Sequence, residues 1–128
     1  MRQVAITGAG AGLAQSISVG SHAVRADEPV DIGGGDSGPT PHELLLSALG
    51  ACTAITLRLY AARKGWPLTD VTVRVTGRHE DSRFVIDHEL TLVGDLDAEQ
   101  RARLMAIASR CPVHRTLTGT IAIETREA

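Results

Sequence analysis

One segment, residues 41–64, constrains the fold of this chain more than any other. As a helix it would be apolar around most of its circumference, through residues Leu44, Leu45, Leu46, Leu49, Ile55, Leu57 and Leu59. A helix of about 24 residues is roughly 36 Å long, and a helix that is apolar on most sides must be buried on several of them. We therefore expect a long central helix with other layers packed around it.

Both ends of this helix carry local signals in the sequence. Thr40 can cap the first turn, Pro41 suits the first helical position, and Glu43 stands where a capping box needs an acid. Gly65 follows the last apolar position and is a typical helix stop. These signals predict a helix from Pro41 to about residue 64.

The residues before the helix have a different pattern, that of short strands. Residues 4–7, 14–19 and 22–27 are β-branched runs separated by glycine turns, which predicts a small antiparallel meander. Residues 33–41 are dense in glycine and proline and predict a loop that leads into the helix.

Alternating apolar residues return after the helix. Residues 70–77 and 84–94 predict a two-stranded unit with one solvated face, and its predicted connection carries Arg78, His79, Asp81 and Ser82. The order of strands and helices is that of an α+β fold.

A second helix and a last strand complete the prediction. Asp97 opens the helix, with Gln100 at the capping-box position, and the helix is expected to end at Pro112, with Cys111 at its C-terminal end. Residues 119–125 alternate again and predict the strand.

Length and charge limit the classes of function. With 128 residues and a formal net charge of -2, we expect a single domain over residues 1–128 and no nucleic-acid partner. Only 2% of the residues are aromatic, which leaves no platform for stacking bases. We find no run of about 18 apolar residues and no signal peptide, so we expect no membrane partner and a cytoplasmic location.

The opening VAITGAGAGLA is similar to the first strand and glycine turn of short-chain dehydrogenases, and Tyr60 and Lys64 have the spacing of the catalytic pair of that family. The glycine turn of such an enzyme should open a helix that binds a pyrophosphate, yet the residues that follow, 15–24, are strand-like. We therefore interpret GAGAG as a hairpin turn, Tyr60 as a core residue and Lys64 as a solvated helix end.

The only two cysteines, Cys52 and Cys111, lie on different predicted elements. A lone buried cysteine is usually a small hydrophobic residue. In a reducing compartment a bond between two thiols would be transient, which favours redox chemistry over a structural disulfide. A cysteine that attacks a peroxide must be a thiolate, and a second thiol can then capture the sulfenic acid.

The residues around both cysteines resemble the OsmC/Ohr family of thiol peroxidases. The resemblance rests on GPTPHELLLSALGAC and ASRCPVHRTLTGTI, in the order of that family and in a chain of matching length. It implies a two-layer α+β fold, in which antiparallel sheets pack around a long buried central helix, and an intertwined homodimer.

The resemblance also implies a function. Cys52 would be the attacking thiolate and Cys111 the resolving thiol, with no cofactor. The enzyme would reduce organic hydroperoxides, including those of lipids, to alcohols, and an external dithiol would be the reductant.

The family places an arginine and a glutamate at the attacking thiolate. The nearest upstream arginine here is Arg25. His42 holds the place directly after the helix-start proline, where the family has its glutamate, and Glu43, the candidate for that role, lies one residue later. His22 is a second candidate for the cation, while Arg110 and Arg115 flank Cys111.

Five histidines are present, but none has the spacing of a zinc motif, so we expect no metal. His114 is expected at the surface. The alternative function is a catalytically weak dimer of the same fold that binds a small molecule or senses redox state.

Overall fold

Two antiparallel sheets and one long helix dominate the structure, a computed structural model that describes residues 1–128. The elements are β1 (Val4–Gly8), β2 (Gln15–Val19), β3 (His22–Ala26), a 3-10 turn (Val30–Ile32), α1 (Pro41–Lys64), β4 (Leu68–Glu80), β5 (Arg83–Gly94), α2 (Ala98–Ala108) and α3 (Pro112–Thr118). The contacts divide the chain into two units, Met1–Leu45 and Leu46–Ala128. The predicted α+β class is confirmed.

The first unit contains the predicted meander. β2 lies between β1 and β3 and pairs antiparallel with both. The chain reverses between β2 and β3 at Gly20, whose φ of 60° lies in the left-handed region that glycine adopts readily. Because β1 and β2 form a hairpin, there is no βαβ unit for a dinucleotide, and the dehydrogenase interpretation is excluded.

The loop before α1 is held by a buried carboxylate. Asp27, which is 4% exposed, accepts hydrogen bonds from the backbone N–H groups of Glu28, Gly35 and Ser37 and from the Ser37 hydroxyl. A side chain at Gly34 would meet the Glu28 carbonyl oxygen at 1.9 Å, so only glycine fits there. The loop is therefore an ordered lead into α1.

The helix α1 begins and ends as predicted. The Thr40 N–H donates to the Glu43 carboxylate at 2.8 Å, and the Glu43 N–H donates to the Thr40 hydroxyl at 3.2 Å, which is a capping box. At the other end Gly65 has a φ of 69°, and the Trp66 N–H donates to the Ala61 carbonyl. This is the usual glycine stop of a helix.

The second unit contains a long hairpin of β4 and β5. Its turn is only Asp81 and Ser82, and Asp81 has a φ of 54°. Arg78 and His79 therefore belong to β4 and pair with β5, so the prediction that they lie in the connection is wrong. Because the turn is tight, the hydrogen-bonded pairing of β4 with β5 continues to Glu80. The alternation of apolar residues stops before that point, so it does not show the full length of β4.

A small aliphatic core joins α1, α2 and the hairpin of the second unit. Its buried members are Leu57, Ala61, Leu96, Leu104 and Ala108. The helix α1 contributes one stripe with a spacing of four residues: Leu49, Thr53, Leu57 and Ala61. Gly50 allows close approach to β4, since a Cβ there would lie 3.2 Å from Val75.

Burial of α1 is narrower than its sequence predicts. Ile55 is 58% exposed and Leu59 is 61% exposed in the single chain, so the expected burial on several sides is not reached within one copy. By length and composition α1 could also cross a membrane, a property that core helices of soluble proteins share. A few small polar residues interrupt the apolar run of α1, so α1 contains no unbroken run of about 18 apolar residues. Its mean hydropathy is nevertheless as high as that of a membrane span.

The region after α2 differs from its prediction. The helix α2 does begin with the predicted capping box of Asp97 and Gln100, but it ends at Ala108. Pro112 starts the separate helix α3, and Cys111 is its N-cap. Proline lacks an N–H group and has a helical φ, so it suits a first helical position as well as it ends a helix.

The predicted last strand is wrong for this chain. Residues 119–125 contain no strand, and Ile121 and Ile123 are 55% and 84% exposed. A strand needs a hydrogen-bonded neighbour, and neither sheet includes this segment.

Candidate active site around Cys52 and Cys111

Cys52 lies on α1, in the second unit. Its thiol is free and partly exposed. The capping box and the glycine stop fix α1 at both ends, so the helical position of Cys52 is determined by local sequence.

Cys111 occupies the N-cap of α3 and is fully buried. Its thiol is also free. The His114 N–H donates to the Cys111 Sγ at 3.4 Å, and Pro112 fixes the direction of the first turn. As the N-cap of α3, Cys111 has its sulfur held by this hydrogen bond. The predicted position of Cys111, at the C-terminal end of α2, would not give the sulfur this bond.

A buried hydroxyl connects the two cysteine sites. Thr53 is 0% exposed, its hydroxyl donates to the Leu49 carbonyl at 2.9 Å, and its Oγ1 lies 3.6 Å from the Cys111 Sγ. Thr53 is the residue after Cys52. The fold therefore brings Cys111 against α1 at the level of Cys52, although the two cysteines lie on different elements.

The two sulfurs differ in access. A thiol that attacks a dissolved peroxide must be reached by it, whereas a thiol that only captures a sulfenic acid need not be. Cys52 is partly exposed and Cys111 is buried. The roles of Cys52 and Cys111 as attacking and resolving thiols stay predictions.

Arg25 and Glu43 lie in the first unit and have structural partners there. The Arg25 Nε donates to the Ser37 hydroxyl at 2.9 Å, and Glu43 belongs to the capping box. Their activating roles stay predictions, and so does that of His22, which is exposed on β3. In the second unit Arg110 and Arg115, which flank Cys111, are both exposed.

Sequence reasoning missed a two-histidine cavity in the second unit. The cavity has a volume of about 230 Å³ and is lined by Leu49, Phe84, Ile86, His88, His114, Leu117 and Thr118. His114 is half-buried rather than at the surface as expected. The alternation of β5 could have identified His88, since it shares a strand face with Phe84 and Ile86.

One imidazole atom in this cavity lacks a partner. The Nε2 of His88 is buried and has no hydrogen bond. Burial lowers the pKa of His88 below its ordinary value, and the nearby His114 lowers it further. Both effects disfavour the charged form of His88, whose Nε2 has no hydrogen-bond partner.

Tyr60 and Lys64, the pair with the spacing of the dehydrogenase catalytic residues, line an open cleft in the second unit. The Tyr60 hydroxyl accepts a hydrogen bond from the Arg103 Nε at 3.0 Å, which lowers the pKa of Tyr60. The Lys64 Nζ lies 5.8 Å from the centre of its ring. Tyr60 packs against the core, as expected, so the pair has a structural role.

No group of three or more histidine, cysteine, aspartate or glutamate side chains is arranged to hold a metal ion.

Comparison with known proteins identifies relatives of this chain. The sequence pattern of the family described as OsmC-like protein matches residues 33–126, which include both cysteines. No curated protein matches the sequence.

Several solved structures share the fold. An OsmC-like protein from Mycoplasma pneumoniae has a TM-score of 0.76 at 21% identity, covering 93% of this chain and 88% of its own. The organic hydroperoxide resistance protein OsmC from Legionella pneumophila has a TM-score of 0.69 at 20% identity, covering 93% and 90%. The organic hydroperoxide resistance protein OhrB of Bacillus subtilis has a TM-score of 0.64 at 23% identity, covering 93% and 91%. At these identities the likeness concerns the fold.

Proposed function

Because this chain belongs to the OsmC-like protein family, we propose that it is a thiol-dependent peroxidase that reduces organic hydroperoxides, including those of lipids, to alcohols. The observation that carries the proposal is the contact of the Cys111 Sγ with Thr53, the residue after Cys52, at 3.6 Å. The names of the relatives from Legionella pneumophila and Bacillus subtilis, which are organic hydroperoxide resistance proteins, support the substrate class.

The proposed reaction uses the two thiols in sequence. The Cys52 thiolate attacks one peroxide oxygen, the O–O bond breaks, and the alkoxide leaves and takes up a proton to become the alcohol. Cys52 is then a sulfenic acid. Cys111 attacks this sulfur, a disulfide forms, and the hydroxyl group leaves with the Cys111 proton as water. An external dithiol supplies two electrons and two protons and restores both thiols.

Arg25 and Glu43 are the proposed activating groups for Cys52. A cation near a thiol favours the thiolate, and residues 26–57 contain no arginine or lysine, so Arg25 is the nearest cation before Cys52 in the sequence. Glu43 would orient the guanidinium in addition to capping α1. These assignments follow the family pattern.

We also propose that the active protein is a homodimer. Ile55 and Leu59 of α1 are more than half exposed in the single chain, and exposed apolar surface of this kind marks an interface. The unpaired residues 119–125 retain a strand pattern that a second copy could pair with. In a dimer, a second copy would cover Ile55 and Leu59, so that α1 is buried on several sides as its sequence predicts.

Reduced protein should consume cumene hydroperoxide in the presence of dithiothreitol. Cys52→Ser should abolish turnover, because a hydroxyl is a far weaker nucleophile than a thiolate. Cys111→Ser should retain one round of peroxide reduction and form no intramolecular disulfide. Intact mass after one equivalent of peroxide separates the cases: the wild type should lose two hydrogen atoms, and Cys111→Ser should gain one oxygen atom.

The two cysteine variants serve as matched controls for each other, since each removes one sulfur and leaves the other in place. Turnover in Cys52→Ser equal to that of the wild type would contradict the proposal. Thiols that do not react with peroxide would instead favour the alternative of a binding or sensing dimer.

A further inference from the structure

The cavity between β5 and α3 is built like a ligand site. Apolar side chains form most of its wall, and α1 contributes only Leu49. Into this wall β5 places His88, whose buried Nε2 has no hydrogen-bond partner, and α3 places His114. Buried polar atoms are nearly always hydrogen-bonded. We therefore expect the His88 Nε2 to form a hydrogen bond with a ligand that enters the cavity.

The charges around the cavity indicate the kind of partner. His88 and His114 are the only titratable residues of its lining. β4 places Val75 opposite His88, while Asp87 and Glu89 point to the other face of β5, where arginines of β4 pair with them. Two histidines thus line one cavity whose lining contains no carboxylate, and an anion would complete the site.

We propose that this cavity binds a small apolar carboxylate, with its anionic head at His88 and His114 and its alkyl chain against Leu49, Phe84 and Leu117. The backbone N–H of His114 donates to the Cys111 Sγ, so the ligand lies beside the first turn of α3. The site requires no peroxide chemistry and does not rest on the proposed function.

The volume of the cavity sets the size of the ligand. One water molecule, which has a single non-hydrogen atom, occupies about 30 Å³ in the liquid. At that volume per non-hydrogen atom, the cavity of about 230 Å³ has room for about eight such atoms. Hexanoate has that number of atoms. Hexanamide has the same number and nearly the same shape but carries no charge, so it is a matched control ligand.

The proposed binding depends on pH with a definite sign. In the free protein, burial and the neighbouring His114 hold the pKa of His88 below its ordinary value. A bound carboxylate stabilises the imidazolium and raises that pKa, so binding takes up a proton and becomes tighter as the pH falls. A rise of one pKa unit gives about tenfold tighter binding below the pKa than above it.

The test titrates reduced full-length protein with hexanoate or hexanamide while the imidazole resonances of all five histidines are followed by NMR. We expect hexanoate to shift the His88 and His114 resonances, to raise the pKa of His88, and to bind at least about tenfold more tightly at pH 5.5 than at pH 8. Hexanamide should bind more weakly and without this pH dependence.

Variants assign the effect to the cavity. His88→Gln should weaken hexanoate binding about tenfold or more at pH 5.5 and remove most of its pH dependence. His114→Gln, a second variant in case the first does not fold, should also weaken hexanoate binding at pH 5.5 but keep the pH dependence that His88 confers. Glu89→Gln, on the opposite face of β5 where Glu89 pairs with Arg74, should bind like the wild type. Equal binding of hexanoate and hexanamide, or no shift of the His88 and His114 resonances, would overturn the proposal. Because no peroxide is present, either result leaves the peroxidase test unaffected.

Discussion

A single buried carboxylate, that of Asp27, organises the loop that leads into α1. Four hydrogen bonds from the backbone and from Ser37 converge on it. They stabilise the ionised form, and they lower the pKa of Asp27 from 3.8 to about 2, with the Ser37 hydroxyl as the largest cause. The Ser37 hydroxyl also accepts a hydrogen bond from Arg25, so Asp27 indirectly positions the proposed activating cation.

Asp27 should make the stability of the protein depend on pH in the acid range. Since its pKa is lower in the folded state than in the unfolded state, its contribution is complete above about pH 4 and is lost as the pH falls toward 2. Asp27→Asn should therefore be less stable than the wild type at pH 7, and the difference should shrink near pH 2. Urea unfolding followed by circular dichroism at several pH values measures this.

Asp31→Asn is the control for this prediction, because Asp31 is an exposed carboxylate in the same unit. It should follow the wild type at every pH. A constant difference between Asp27→Asn and the wild type from pH 7 to pH 2 would contradict the assignment.

Elements whose ends are set by neighbouring residues were predicted from the sequence. The capping box of α1, its glycine stop and the alternation of β4 and β5 depend on contacts within a few residues, so periodicity and turn chemistry identify them. Pro112 is the counter-example. It can end one helix or begin another, and only the packing of Cys111 against Thr53 decides for the start of α3.

Glu43 can be tested for two roles at the start of α1. Glutamine also completes a capping box, so Glu43→Gln should keep the free energy of unfolding within about 0.5 kcal/mol of the wild type. If the carboxylate orients the activating cation, as proposed, the same variant should lower kcat/KM for cumene hydroperoxide by about tenfold, or roughly 1.4 kcal/mol.

The matched control is Glu99→Gln, which changes the acid in the first turn of α2. It should leave both stability and peroxide turnover unchanged. Wild-type kcat/KM in Glu43→Gln would assign Glu43 to helix capping alone.

The whole chain leaves apolar surface that one copy does not cover. Ile55 and Leu59 lie one turn apart on α1, and Ile121 and Ile123 lie in the unpaired residues 119–125. This surface is consistent with the proposed homodimer, in which burial across copies replaces burial within the chain.

Sedimentation equilibrium at micromolar concentration should therefore give the mass of a dimer. Ile55→Asp should shift the protein toward monomer, since a charge at a buried apolar interface is costly. Ile123→Asp provides a second variant at a site where misfolding is not expected, and Thr72→Asp on the exposed side of β4 is the control. A monomeric wild type would contradict the homodimer.

The sequence by itself determined the α+β class, the bounds of α1, the meander and the two cysteines as candidate residues. These follow from caps, glycines and apolar periodicity, all of which act over short separations along the chain. Only the tertiary structure decided that Cys111 contacts Thr53, 58 residues away, and that His88 and His114 share a cavity. No local pattern specifies which face of α3 meets which face of β5, because packing of distant residues settles that choice.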